Sequence, residues 1–267
     1  IRINGDVVEV GKSVSSKTAR RVAVVISLIV GVIFGSQFNA NWSEILLMFN
    51  AQSFGTTDPQ FGLDNGFYVF VLPGLKLVLA AVAMLLGVGL VFSVVTHVLM
   101  GGIRITMPVN GRGLFSITKR CRRQLGIWLM LNMFAWAVRQ MIGVFDQLTV
   151  QGSRITGASY TAVHANIPVT FIMAALTAIL GVVLGIWLMR SHTLEGQASI
   201  GVRASAALKA WRVPVTSIAV VVVVGLVLTV AWPVLLQRFR VNPNAQEMES
   251  TYIQRNIDAT RAAYGLD

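Results

Sequence analysis

An all-α fold, a polytopic helical bundle in a membrane, is what this sequence predicts, on three observations. Hydrophobic residues make up 55% of the chain and charged ones only 12%, about half the charged fraction of an ordinary soluble domain. Five apolar stretches stand near or above the ~20 residues needed to cross about 30 Å of hydrocarbon. The cations, which give a net charge of +11, are gathered between alternate stretches, as the positive-inside rule requires of a membrane protein.

Taken in order, residues 1–21 form a basic segment with Arg2, Lys12, Lys17, Arg20 and Arg21. Residue 1 is Ile and no signal peptide precedes the first apolar run, so the expectation is an internal piece of a longer polypeptide. The transmembrane domain is expected over 22–236, with spans at about 22–38, 72–100, 125–145, 167–189 and 213–236. Between the first two, Ser43–Phe54 is too short and polar to span. Its Ile45, Leu46 and Phe49 share one helical face, which predicts an interfacial helix on the outer leaflet. Pro168 and Pro214 fall in the expected first turns of the last two spans, where a missing N–H is harmless. Pro233 is expected to kink or end the last one.

Orientation follows from the loops. Residues 100–124 carry Arg104, Arg112, Lys119, Arg120, Arg122 and Arg123, and 190–212 carry Arg190, Arg203, Lys209 and Arg212. By contrast, 38–71 hold no Lys or Arg and 146–166 only Arg154. The basic loops and residues 1–21 are therefore expected in the cytoplasm, and after five crossings residues 237–267 form an extracytoplasmic stalk. Trp42 and Trp232 then fall at the outer boundary, Trp187 and Trp211 at the inner one, the depth that amphipathic rings prefer. Gly31/Gly35 and Gly181/Gly185 are GxxxG pairs, read as close packing between helices of the same chain. Within the stalk, Ile253, Ile257, Thr260 and Tyr264 recur at helical spacing. They predict a helix within about Met248–Tyr264, started by Asn242-Pro243 and ended by a left-handed Gly265. Its Ile253/Ile257 face is expected against protein, either the outer loops 38–71 and 146–166 or a downstream domain, and Asp258 is placed to pair with Arg261.

Three stretches carry a resemblance. They are Phe54-Gly-Thr-Thr-Asp-Pro-Gln-Phe-Gly-Leu-Asp-Asn-Gly-Phe-Tyr-Val-Phe-Val-Leu-Pro73, then Thr156-Gly-Ala-Ser-Tyr-Thr161, and the tail with Val241-Asn-Pro-Asn244 and Tyr252 to Asp267. Together they resemble an uncharacterised family of large membrane proteins found in actinobacteria and some other bacteria. The resemblance implies seven N-terminal transmembrane helices followed by a large extracytoplasmic domain, so two upstream spans would be missing from the five counted here. It implies architecture and no chemistry.

Candidate polar sites are few. Arg139 sits inside the third span, where a charge costs roughly 2.5–3.5 kcal/mol on insertion scales and calls for a partner or a route to the headgroups. Asp146 lies two turns on, toward the outer end, and Asn132 seven residues earlier on a similar face suggests a polar seam. Asp58 and Asp64 place carboxylates in a loop without cations, but Asp58-Pro59 and Asp64-Asn65-Gly66 are also turn formers. His97, His164 and His192 fall on both sides of the membrane by the expected topology, which excludes a three-His zinc site. Cys121 is the only cysteine, read as a free thiol in the basic stretch 118–123. No catalytic motif is present, and no cofactor or metal is expected.

The expected function is a membrane-domain anchor for a large extracytoplasmic domain, serving cell-envelope assembly or lipid handling in a bacterial plasma membrane. The alternative is a transporter or channel with a polar seam around Arg139 and Asn132. Expected partners are membrane lipids and a second copy or other envelope proteins. Nucleic acid is not among them, because no basic face with interleaved aromatics stands on a polar domain.

Overall fold

The computed structural model describes residues 2–4, 7–9, 16–108, 115–149, 157–191 and 200–266. Lys12, Gly111-Arg112-Gly113, Arg154, Thr156, His192 and Asp267 lie outside the described residues. In chain order the elements are β1 (Arg2–Asn4), β2 (Val7–Glu9), α1 (Ser16–Ala40), α2 (Trp42–Phe49), α3 (Leu72–Leu99), β3 (Ile103–Pro108), β4 (Phe115–Ile117), α4 (Lys119–Gly143), α5 (Ile167–Arg190), α6 (Ile200–Leu226), α7 (Trp232–Leu236) and α8 (Ala245–Ala263). π turns at Phe67–Val71, Ala162–Asn166, Val227–Ala231 and Gln237–Val241 adjoin the long helices, and Val144–Leu148 forms a 3-10 turn after α4.

Among the described residues, four helical stretches are long and apolar enough to cross a bilayer: Phe67–Leu99, Lys119–Leu148, Ala162–Arg190 and Trp211–Val241. They contain nearly all of the last four expected spans. Helix α1 covers the first, 22–38, but is not among the four, so four spans and not five are shown. The side chains of these stretches are largely uncovered; Val220, Val223 and Leu226 expose 58, 59 and 59% of their surface. Water against such a face would cost ~25 cal/mol per Å². Hydrocarbon removes that cost, which is why a helix this apolar on every side belongs in lipid.

The chain divides into two compact units: Ile1–Ala40, Ala81–Phe134 and Ala178–Ala219 in one, Asn41–Ala80, Ala135–Thr177 and Val220–Asp267 in the other. In the first unit α3, α4 and α5 pack through glycine and a small core. A Cβ on Gly185 would lie 2.9 Å from the Gly126 carbonyl oxygen and would run into Met130, while one on Gly181 would run into Met133. Helices α4 and α5 therefore approach backbone to backbone, as small residues allow in lipid. Gly31 and Gly35, by contrast, have nothing within 4 Å of the added carbon. Ile117, Cys121 and Leu125 form the buried core, with Leu90, Ile103 and Leu188 against it. Trp187 and Trp211 pair at 5.1 Å between centroids.

Two features of this unit differ from expectation. Lys119–Arg123 is not a loop: α4 starts at Lys119, because the Thr118 hydroxyl accepts the Cys121 N–H at 3.4 Å and its carbonyl the Arg122 N–H at 3.0 Å. Such a cap satisfies otherwise orphaned donors, and Cys121 and Arg122 are fully buried. The stretch 103–117 also supplies two strands of a small antiparallel sheet in the order β1-β2-β3-β4. Val7 pairs with Pro108 and Ile103 with Ile117. The bundle is all-α, and this sheet is an addition that the charge of the loop concealed.

In the second unit α2 lies against the start of α3, where a Cβ on Gly74 would be 2.8 Å from Met48 Cβ. The helix ends at Phe49, short of the expected Phe54, because the Asn50 amide caps the Leu46 carbonyl at 2.8 Å. Trp42, Leu46 and Phe49 remain exposed, as a helix lying on a leaflet requires. Pro214 is not in a first turn: α6 begins thirteen residues before the expected start at 213, which leaves the proline inside it. Pro233 does not end the span either. The π turns at Val227–Ala231 and Gln237–Val241 carry helical backbone on both sides of it to Val241. A wide turn absorbs the missing N–H and the ring that would otherwise strike the previous turn.

Helix α8 is present and ends as expected, with Gly265 at φ 63° and the Leu266 N–H reaching the Arg261 carbonyl at 2.9 Å. Of the two expected partners for its apolar face, the described residues of the outer loops are not the one observed. Glu249 is the buried residue, while Ile253, Ile257 and Tyr264 expose 36, 44 and 76%. The Ile253/Ile257 face is thus not packed on the described residues; a polar edge is docked instead. Asp258 accepts from Gln254 at 2.7 Å and makes no ion pair with Arg261.

Candidate functional site

The carboxylates that stood out in sequence are turn hubs. Asp58 is 7% exposed and accepts the N–H groups of Gln60, Phe61 and Leu63 at 2.8, 2.6 and 2.9 Å and the Tyr68 hydroxyl at 2.8 Å. Burial pushes its carboxyl up, but these four donors together outweigh burial and hold it below the usual carboxylate range. The Ser53 hydroxyl and then the Phe54 N–H hold Asp64 at about 2, with Gly66 and Gly55 also donating. Gly55 and Gly62 take φ of 71° and 69°, so the loop between them can fold back on the two carboxylates. Phe61 then joins Phe67 and Tyr68 around the Phe145 ring, at 5.0, 5.3 and 6.3 Å.

Asp146 does not pair with Arg139. Its partner is Lys76 on α3, whose Nζ lies 2.8 and 2.9 Å from the two carboxylate oxygens. Arg139 is exposed, and among the described residues it makes no hydrogen bond or ion pair. Asn132 donates to the Leu86 and Trp128 carbonyls at 3.0 and 2.8 Å, so its amide fastens α4 to α3. Farther along α4, Gln140 donates to Thr177 on α5 at 3.1 Å. His97 meets Gln124 at 3.0 Å in the first unit, whereas His164 belongs to the second.

A second polar assembly in the second unit was not anticipated. Tyr160 stacks on His164 at 4.0 Å, and its N–H donates to buried Glu249 of α8 at 3.1 Å. Tyr252 approaches His164 Nδ1 at 3.5 Å, meets the Tyr160 ring edge-on at 6.2 Å and lies under the Arg255 guanidinium. Burial pushes the Tyr252 phenol up. Next to this assembly Thr161 donates to Gln237, which in turn donates to Asn242 Oδ1 at 3.0 Å. Thr161, Asn166, Pro233, Val234, Gln237, Arg238 and Asn242 line an open cleft of ≈ 480 Å³. Its walls come from two π turns and α7. The one sequence signal for it was the Thr156–Thr161 motif standing beside Val241-Asn-Pro-Asn244 in the resemblance, with no spacing to say that the two meet.

Residues 3–267 match the model of an uncharacterised protein family, UPF0182. A UPF0182 protein of Bifidobacterium adolescentis is 79% identical over 267 residues, covering 100% of this chain and 25% of the relative. One from Corynebacterium glutamicum is 34% identical over 92% of this chain and 23% of the relative, and one from Kocuria rhizophila 36% over the same shares. The chain thus spans about a quarter of the length of the curated relatives it matches. No solved structure matches it.

Proposed function

This protein belongs to the UPF0182 family, and from that premise we propose that it is the membrane domain that anchors a much longer polypeptide at the extracytoplasmic face of the plasma membrane. In this reading α1 is a fifth span, the basic segments 1–21, 100–124 and 190–212 face the cytoplasm, and α8 stands outside. The anchored part serves envelope assembly or lipid handling.

The observation that carries the reading is the way α8 is held. Glu249 and Tyr252 fasten its polar edge to Tyr160 and His164, while Ile253, Ile257 and Tyr264 are left uncovered on another side. A helix fixed on one edge and apolar on another is suited to transmit a rigid attachment. Its occupant in this proposal is the remainder of the longer polypeptide, three-quarters of the relatives' length. The test is limited proteolysis of the full-length protein in its membrane. Ile253→Asp with Ile257→Asp should free the downstream part for cleavage at several-fold lower protease while the spans stay inserted. Unchanged sensitivity would count against anchoring through this face.

Transport is the second reading, favoured by the Lys76–Asp146 pair between α3 and the end of α4. Ion pairs within spanning segments mark pathways as well as structure.

A further inference from the structure

We propose that the cleft between the Thr161 turn and the end of the last span binds a phosphate oxyanion, carried by the headgroup of an anionic phospholipid. Its polar lining includes two unused donor groups, on Arg238 and Asn242. Thr161 gives its proton to Gln237 Oε1, and Gln237 gives an amide proton to Asn242 Oδ1 at 3.0 Å. The relay engages Asn242 Oδ1 and leaves the Asn242 Nδ2 hydrogens as its free end. Among the described residues neither Nδ2 nor the Arg238 guanidinium has a partner. A guanidinium beside an amide donor is the pairing that phosphate oxygens take up with charge-assisted bonds.

Two further observations turn a phosphate into a lipid phosphate. Pro233 and Val234 supply an apolar wall to the same cleft. Arg238 is in the last turn of the apolar stretch Trp211–Val241, flanked by exposed Trp232 and Phe239 at 47 and 72%. Aromatic rings and snorkelling cations of that kind mark headgroup depth. The volume, ≈ 480 Å³, is in the ordinary range for a small-molecule site, about 300–1,000 Å³. π turns at Ala162–Asn166 and Gln237–Val241 contribute lining residues, and such turns recur at functional sites. The proposal depends on the membrane reading only for the lipid as source of the phosphate.

The test is native mass spectrometry of the full-length protein, offered equimolar phosphatidylglycerol and diacylglycerol, which lacks the phosphate, with inorganic phosphate as competitor. The wild type should retain phosphatidylglycerol preferentially. Arg238→Gln should lower that preference about tenfold, the loss of one charge-assisted bond, and Asn242→Leu should lower it further in the double variant. Arg240→Gln, outside the cleft, should leave it unchanged. Circular dichroism and melting of each variant establish that the fold survives. Lipid retained against millimolar phosphate assigns the site to a headgroup, and lipid displaced by it to soluble phosphate; both leave the oxyanion site standing. Equal retention of the two lipids by the wild type, or an effect of Arg240→Gln equal to that of Arg238→Gln, would overturn the site. Membrane insertion is measured separately, by carbonate extraction, so failure here is distinguishable from failure of the anchor reading.

Discussion

At the scale of the residue, polar groups in this chain are mostly spent on holding backbone. Asp58 alone takes four donors, so Asp58→Ala strands them and should destabilise the 50–66 loop by about 2–4 kcal/mol. Faster amide exchange at Phe61 and Leu63 is the readout, with the spans unaffected. Both loop carboxylates have folded pKa values below their unfolded ones. Their contribution is therefore fully present above the ordinary carboxylate value near 3.8 and is lost as pH falls, for Asp64 down to about 2. Loop protection should hold from pH 8 to 5 and disappear between about pH 4 and 2; loss between pH 7 and 5 would contradict that account. Lys76 and Asp146 make the opposite case, an interaction no sequence pattern announced. Reversing either charge should weaken folding on the order of 1 kcal/mol, and the double swap Lys76→Asp with Asp146→Lys should restore it if the pair is structural. Assembly restored without function would favour the transport reading. Lys76 escaped notice because it lies four residues inside α3, in an otherwise apolar run, and Asp146 had a nearer candidate on its own helix. A sequence exposes neighbours at three and four residues; a partner seventy residues away is invisible to that geometry.

Elements were legible wherever apolar length decided them. The four spanning stretches follow from hydropathy alone, since lipid permits no other arrangement of backbone hydrogen bonds than a helix or a closed barrel. The ends were less legible, because they depend on caps: Thr118 starts α4 before the hydropathy rises, and Asn50 ends α2 before the apolar residues do. The sheet was hidden because strands of three to six residues in a basic stretch carry too little alternation. Helix α8 was found through its Ile253–Tyr264 periodicity, but that stripe did not reveal the edge that meets the described residues. Burial of one acid, Glu249, against a backbone N–H overrode the apolar stripe. Between α4 and α5 the glycine pair reads correctly as packing within the chain. Gly185→Leu would place a side chain where Met130 and the Gly126 carbonyl already stand, and should destabilise the domain by at least 1–3 kcal/mol. Gly35→Leu meets nothing within 4 Å and should be neutral in the same melting assay. Equal effects at the two positions would refute the close approach of α4 and α5.

For the whole molecule, the membrane is the missing half of the energetics. Side chains that would be costly in water, such as Val91 at 63% exposure, are stable where hydrocarbon covers them. That argument establishes membrane helices and leaves their direction to charge, with basic segments at 1–21, 100–124 and 190–212. The central claim is that this membrane domain holds its α8 and its cation-poor loops outside. Single cysteines in a Cys121→Ala background, probed on intact cells with an impermeant maleimide, test it directly. Positions within 56–66 and 150–160 and at Ser250 on α8 should label, while those within 100–124 and 190–212 should label only after the membrane is opened. Labelling of the basic segments from outside, with Ser250 protected, would contradict the orientation and the anchor built on it.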